Sequence, residues 1–270
     1  MNPITVQDLL EAGKHASLTG SVLTEWAQKS APKQREYLHG VLVAEHESRH
    51  QRLLKVARLP ARETLTGFDY GNVKFPEDYG SHPLESLDFI DRAQDLVLYG
   101  DVGTSKRHMA TALVAATCRR GIQARFFTTS ALVMMLRRAK EEYRLDKELA
   151  SLAKNQLIAI DELGYLPIDT EGARRSFQVI ADGYEKRSPI ITTKLEFSRW
   201  GTMFGDDNMA AAVIDRLVHH GRLLQFRGES YRVKECAHEI GQTPTWQETE
   251  LTWPDSYRFN GRLGVDETQL

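Results

Sequence analysis

The sequence predicts an α/β fold, in which a parallel sheet with crossover helices follows a small helical region. Three observations predict it. Two apolar runs, Leu96-Val97-Leu98-Tyr99 and Leu157-Ile158-Ala159-Ile160, each stop abruptly at small or charged residues, as buried parallel strands do. Around them, stretches of strand length alternate with stretches of helical period, the pattern of strand, helix and strand units. Ahead of them, residues 33–58 contain few turn formers and space their apolar side chains at helical intervals.

Composition sets the outer limits. A chain of 270 residues with 41% hydrophobic content can bury one substantial α/β domain with a smaller appendage. No apolar run approaches the ~20 residues that span a bilayer, and the first residues lack the basic-then-apolar layout of a secretory signal. The expectation is a soluble cytoplasmic protein with no membrane partner. Cys118 and Cys236 have no metal-like spacing and are too few for a disulfide framework, so reduced thiols are expected. The net charge of −2 supplies no global attraction to nucleic acid, which leaves DNA contact to local patches.

In the helix expected over residues 33–58, Leu53, Leu54 and Ala57 share one face and Arg52, Lys55 and Arg58 lie on the other. That basic face reads equally as a solvated helix side or as a contact to DNA phosphates. The chain is expected to divide near Pro60 into a helical region (1–60), a nucleotide-binding domain (61–235) and a tail without clear period (236–270). Gly67, Gly71, Pro76, Gly80 and Pro83 mark the next stretch as loop and short turns. Strands are expected at 96–99, 124–128, 157–161 and 189–193, and helices at 106–119, 130–143, 171–186 and 209–219. Ser130 is the expected N-cap of the second of these helices, and Gly121 the stop after the first. Residues 222–226 and 230–233 flank Arg227-Gly228-Glu229, which reads as a hairpin or a strand and turn.

The two apolar runs also carry the chemistry. The first passes into Gly100-Asp101-Val102-Gly103-Thr104-Ser105-Lys106-Arg107 and then a helix, which puts backbone N–H groups, a positive helix end and an ammonium around one anion. The second delivers Asp161 and Glu162 to the same sheet edge. Together they read as a P-loop nucleoside-triphosphate site with Lys106 as the phosphate lysine. Asp161 is the candidate metal carboxylate, and Glu162 the candidate base that orients water. The bland alternative is that two acids simply end a strand.

Four motifs occur in order: LIAIDELGYLP (157–167), TTKLEFSRWG (192–201), AAAVIDRLVHH (210–220) and GESYRVK (228–234). Through them the stretch from about Val41 to Lys234 resembles the IstB-like helpers of insertion-sequence transposition, relatives of the DnaC helicase loader among the AAA+ ATPases. The resemblance implies an ATPase that binds ATP with Mg2+, forms a homo-oligomer on duplex DNA and directs a partner transposase. A helicase-loader role is the alternative within the same class. It also implies that Arg216 is an arginine finger reaching a neighbouring subunit's site and that Arg232 is the sensor arginine of the small C-terminal part. Initiator-type relatives carry an inserted DNA-contacting helix where Arg137, Arg138 and Lys140 stand. Phosphate-directed contacts there compete with an exposed helix balanced by Glu141, Glu142 and Glu148.

The site departs from the usual G-x-x-x-x-G-K-[ST] pattern. Ser105 adds a Cβ where the second glycine belongs, which crowds the phosphates or strains the turn. Arg107 replaces the hydroxyl that ligates magnesium and sets a cation where a divalent ion belongs, so hydrolysis should suffer more than binding. Arg107 is also able to neutralise phosphate charge itself, which permits metal-poor binding. Lys194 stands where the family usually has a water-positioning asparagine, and a lysine cannot accept that water's hydrogen bonds. Arg175 and Ser176 replace apolar residues of relatives. The expectation is an ATP-binding protein with weakened hydrolysis; a non-catalytic nucleotide- or DNA-binding interaction protein is the alternative.

Overall fold

Along each central strand, successive side chains alternate between two faces, and each face carries its own core. Leu96, Leu98, Ala124, Phe126, Leu157, Ala159 and Ile190 build one, and Val97, Phe127, Ile158, Ile160 and Ile191 build the other. The computed structural model describes residues 3–14, 18–165, 169–183 and 185–228, without the side chains of Thr170 and Val218. Its strands are β1 (Val73–Lys74), β2 (Leu96–Gly100), β3 (Ala124–Thr128), β4 (Leu157–Leu163), β5 (Ser188–Thr193) and β6 (Arg222–Phe226). They form one sheet in the order β1-β6-β2-β5-β4-β3. Every pairing is parallel except β1 with β6.

The helices are α1 (Val6–Lys14), α2 (Gly20–Lys29), α3 (Pro32–Ala57), α4 (Ser81–Glu85), α5 (Asp88–Asp91), α6 (Lys106–Arg119), α7 (Thr129–Glu141), α8 (Leu145–Ala153), α9 (Thr170–Ala181), α10 (Trp200–Phe204) and α11 (Asp207–His219). Helix α6 fills the first face with Met109, Leu113 and Val114, and Ala57 of α3 joins the same core. Helices from α7 to α11 cover the second face, with Trp200 and Phe204 among its largest side chains. The result is a three-layer α/β/α domain, as the alternating pattern predicts.

Leu9, Leu23, Ala27 and Leu42 make a separate small core among α1, α2 and α3. Helix α3 is long enough to serve both units. Leu53 and Leu54 near its end pack against the sheet core, and Arg49 donates to the Gly121 carbonyl at 3.3 Å. The apolar face read from Leu53, Leu54 and Ala57 is the packed one.

Local boundaries show two corrections. Thr128, not Ser130, caps α7, because its Oγ1 accepts from the Ala131 N–H at 3.2 Å. Helix α9 ends at Ala181 rather than continuing to 186, since Gly183 turns the chain toward β5. Gly121 does stop the α6 segment, with φ of 76° and its N–H on the Cys118 carbonyl at 3.0 Å. Strand β6 matches residues 222–226, but it pairs in parallel with β2 and antiparallel with β1. The 230–233 segment, Cys236 and the 236–270 tail lie outside the described residues. Cys118 is a buried free thiol, and burial pushes its pKa up to about 11.

Candidate nucleotide site

Strand β2 ends at the switch point of the sheet, with β5 on one side and β6 on the other, and there the chain turns into α6. The turn depends on glycine at its entry. Gly100 has φ of 151°, and a Cβ there would sit 2.3 Å from the Phe226 carbonyl oxygen of β6. Gly103 follows at φ of 86°. Ser105 then adopts φ of 66° and ψ of 13°, the left-handed conformation that the family pattern assigns to glycine. The expected strain at Ser105 is therefore a backbone strain.

Lys106 opens α6 and turns back into the loop. Its Nζ donates to the carbonyls of Gly100 at 2.6 Å and Asp101 at 2.5 Å and to Thr104 Oγ1 at 3.2 Å. Thr104 Oγ1 in turn donates to the Asp101 carbonyl at 2.8 Å. Lys106 is 6% exposed. Burial pushes its pKa down to about 8, with the Lys194 charge adding to the fall and Asp101 and Asp161 opposing it. A desolvated ammonium beside a positive helix end is an anion-binding arrangement. Asp101 and Val102, at the loop crest, are exposed.

The second half of the site comes from β4, two strands from β2 in the sheet. The β4–β5 register shifts between Ile160 and Leu163, and Glu162 takes φ of 61° in this bulge. The bulge re-aims two consecutive acids, as irregularities beside functional sites do. The Glu162 N–H donates to Thr192 Oγ1 at 2.9 Å, and that hydroxyl donates to Asp161 Oδ1. Thr129 Oγ1 fixes the Asp161 carbonyl at 2.9 Å.

Arg107 joins the two halves. Its Nε donates to Asp161 Oδ2 at 2.5 Å and one terminal nitrogen donates to Glu162 Oε1 at 2.6 Å, so a single guanidinium spans both carboxylates. Asp161 is 2% exposed, whereas Arg107 and Glu162 are 41% and 43% exposed. Burial works against the Arg107 charge, but the hydrogen bond with Asp161 and the fields of Asp161 and Glu162 outweigh it and hold the guanidinium above its ordinary pKa. The donor set does not fit magnesium in this arrangement. The hydroxyl ligand is replaced by a cation, that cation engages both carboxylates, and no cluster of three potential metal-ligating side chains occurs among the described residues.

Lys194, just beyond β5, lies with Nζ 4.7 Å from the centre of the Tyr165 ring. Tyr165 follows the bulge, its N–H bonded to the Glu162 carbonyl at 3.2 Å. Thr192 and Tyr165 escaped the sequence reading as site residues. Thr192 was legible only as a polar residue closing an apolar strand, and its contact depends on β5 lying against β4.

The remaining candidates lie on other elements. Arg216 stands half-buried in the last turn of α11, and Arg232 lies outside the described residues. On α3, Arg52 pairs with Glu45 at 2.9 Å, while Lys55 and Arg58 are exposed. On α7, Arg138 pairs with Glu142 at 2.8 Å, but Arg137 and Lys140 reach across to Asp169 and Glu171 at the start of α9. Glu148 pairs with Arg144 instead. Exposed pairs of this kind are worth only ~0–1 kcal/mol, so the cations remain available to a stronger anion. Arg175 is buried, donating to the Leu136 carbonyl at 3.0 Å and to Glu171 at 2.5 Å, and the fully buried Ser176 Oγ has no partner.

Comparison with known proteins supplies the family. The family model described as IstB-like ATP binding protein matches residues 12–238, which extends the resemblance toward the N-terminus from Val41 into α1. An ATP-binding protein of insertion sequence IS21 from Pseudomonas aeruginosa is 38% identical over 226 residues, covering 82% of this chain and 85% of the relative. Its counterpart for insertion sequence IS5376 from Geobacillus stearothermophilus is 36% identical over 219 residues, covering 80% and 87%. Among solved structures, the replication initiator DnaA bound to AMPPCP and single-stranded DNA superposes with a TM-score of 0.53 at 13% identity, over 69% of this chain and 57% of that one. Domain III of the Thermotoga maritima DnaA gives 0.50 at 14% identity, over 68% and 77%. These two likenesses concern the fold.

Proposed function

Because the chain belongs to the IstB-like ATP-binding proteins of insertion sequences, we propose that it binds ATP and assists DNA transposition in the cytoplasm. In this reading it assembles as a homo-oligomer on duplex DNA and directs a transposase, with its own hydrolysis impaired. The observation that carries the reading is the joined site: the 100–107 loop, a buried lysine and the two β4 carboxylates meet at one sheet edge.

Residues Gly100 to Arg107 form the phosphate-binding loop, with Lys106 exchanging its carbonyl partners for phosphate oxygens. Glu162 is the residue placed to orient water, but the Arg107 guanidinium occupies one of its oxygens. Lys194 offers only donors at the sensor position. Both features favour retention of nucleotide over turnover. Arg216 acts between subunits, and Arg232 on the nucleotide of its own subunit. Arg52, Lys55, Arg58, Arg137, Arg138 and Lys140 contact duplex phosphates, for which α7 exchanges its acidic partners.

The deciding experiment is steady-state hydrolysis by the full chain beside the variant carrying Ser105→Gly, Arg107→Thr and Lys194→Asn. Slow turnover that rises at least tenfold in the variant supports the reading. Rapid turnover by the unaltered chain removes the claim of impaired hydrolysis and leaves an ordinary ATPase.

A further inference from the structure

We infer that the ligand of this site is a nucleoside triphosphate free of divalent metal, with Arg107 as the built-in cation between the phosphates and the β4 carboxylates. The inference rests on the nucleotide-binding reading and specifies the chemical form of the ligand.

Three observations carry it. The first is geometric: the Arg107 guanidinium lies at 2.5 Å from Asp161 Oδ2 and 2.6 Å from Glu162 Oε1, and Thr192 Oγ1 donates to the other Asp161 oxygen. A magnesium ion requires carboxylate oxygens at about 2.1 Å. Entering here, it would have to displace the guanidinium or sit against it, two cations in a partly desolvated site. The second is anchorage. Arg107 is held through Nε and one terminal nitrogen, and its partner Asp161 is almost wholly buried, which fixes that edge of the guanidinium. The third is charge balance. A metal-free triphosphate brings several negative charges, and Lys106, Arg107 and Lys194 all belong to this site, Lys194 close enough for its field to reach Lys106. Arg107 leaves part of its surface exposed, and its remaining N–H groups are donors. A nucleotide already carrying magnesium would present less negative charge and an additional cation to the same cluster.

The test is equilibrium binding of ATP to the full chain in EDTA and in excess magnesium, with Arg107→Thr measured alongside. The unaltered chain is expected to bind at least as tightly in EDTA as in magnesium, because magnesium converts the preferred ligand into the complexed form. Arg107→Thr, which supplies the hydroxyl, is expected to reverse the order and bind at least tenfold more tightly with magnesium. Magnesium alone, without nucleotide, is expected to raise the melting temperature of Arg107→Thr and leave that of the unaltered chain unchanged. Tenfold tighter binding by the unaltered chain in magnesium overturns the inference and leaves nucleotide binding intact, whatever the behaviour of the variant. No binding by the unaltered chain in either buffer also overturns it. In that case Arg107→Thr separates the premises: binding with magnesium shows that Arg107 closes a nucleotide site, and no binding removes the nucleotide reading itself.

Discussion

Replacing Arg107 by methionine keeps most of the side-chain stem and removes the guanidinium that spans Asp161 and Glu162. Losing one partner of a fully buried ion pair destabilises by about 3–5 kcal/mol, because the other charge is stranded. Here only Asp161 is deeply buried, at 2% exposure, and it retains the Thr192 hydroxyl. The Glu162 arm joins two groups that are 43% and 41% exposed and contributes about 1 kcal/mol or less. Discounting the first figure by roughly half for solvent at Arg107 leaves a loss of about 2 kcal/mol. For a chain of this size that lowers the melting temperature by roughly 4–8 °C. The assay is urea and thermal unfolding followed by circular dichroism at pH 7.5, without nucleotide and with EDTA. Asp161→Asn, placed on the Arg107→Met background, removes the stranded charge and should recover about 1 kcal/mol, whereas alone it should destabilise. An Arg107→Met protein within 0.5 kcal/mol of the parent, or additive effects in the double variant, would falsify the claim that the two halves of the site are joined through this arginine.

Three other outcomes are expected. Ser105→Gly relieves a left-handed serine at about 1–2 kcal/mol and loses about 0.5–1 kcal/mol to glycine's extra freedom in the unfolded chain, so it should stabilise by up to about 1.5 kcal/mol in thermal melts; a lowered melting temperature contradicts this. Asp95 is buried with its Oδ1 unpartnered, and burial pushes its pKa up from 3.8 to about 7. The folded state therefore holds this proton more firmly than the unfolded chain, and stability falls as pH rises from about 4 to 7, by up to about 1.4 kcal/mol per unit. Asp95→Asn should exceed the parent in melting temperature at pH 8, with the advantage shrinking toward pH 5, and a gap independent of pH sinks the assignment. Binding of random duplex DNA should weaken steeply between 50 and 200 mM salt, and Arg137→Ala with Lys140→Ala should flatten the slope; salt-independent binding rules out phosphate contacts from α7.

The local features of this chain were legible in its sequence because they depend on neighbours a few residues apart. The alternation of Leu96, Val97 and Leu98, and of Leu157 through Ile160, marks residues destined for opposite faces of a buried sheet. The turn from Gly100 into α6 and the stop at Gly121 follow from backbone freedom at those positions. Local reasoning erred where two near neighbours competed, as between Thr128 and Ser130 for one cap, and where Gly183 outweighed a continuing helical pattern. The four ordered motifs were enough to identify the family.

Only the tertiary structure decided what the unusual residues do. Arg107 is separated from Asp161 by 54 positions, and nothing short-range specifies that the two meet. Their contact requires β5 to lie between β2 and β4 and a bulge to set Glu162 at positive φ. From sequence, Arg107 is a missing magnesium ligand; in the fold it is a cation already satisfied by both carboxylates. The same holds for Arg137 and Lys140, whose partners Asp169 and Glu171 lie 32 and 31 positions away across a helix junction. Composition and period mark the apolar side chains that form the core and the approximate span of the main strands and helices. Electrostatic partnership depends on distances between elements, and these follow from strand order and packing, which no local pattern encodes.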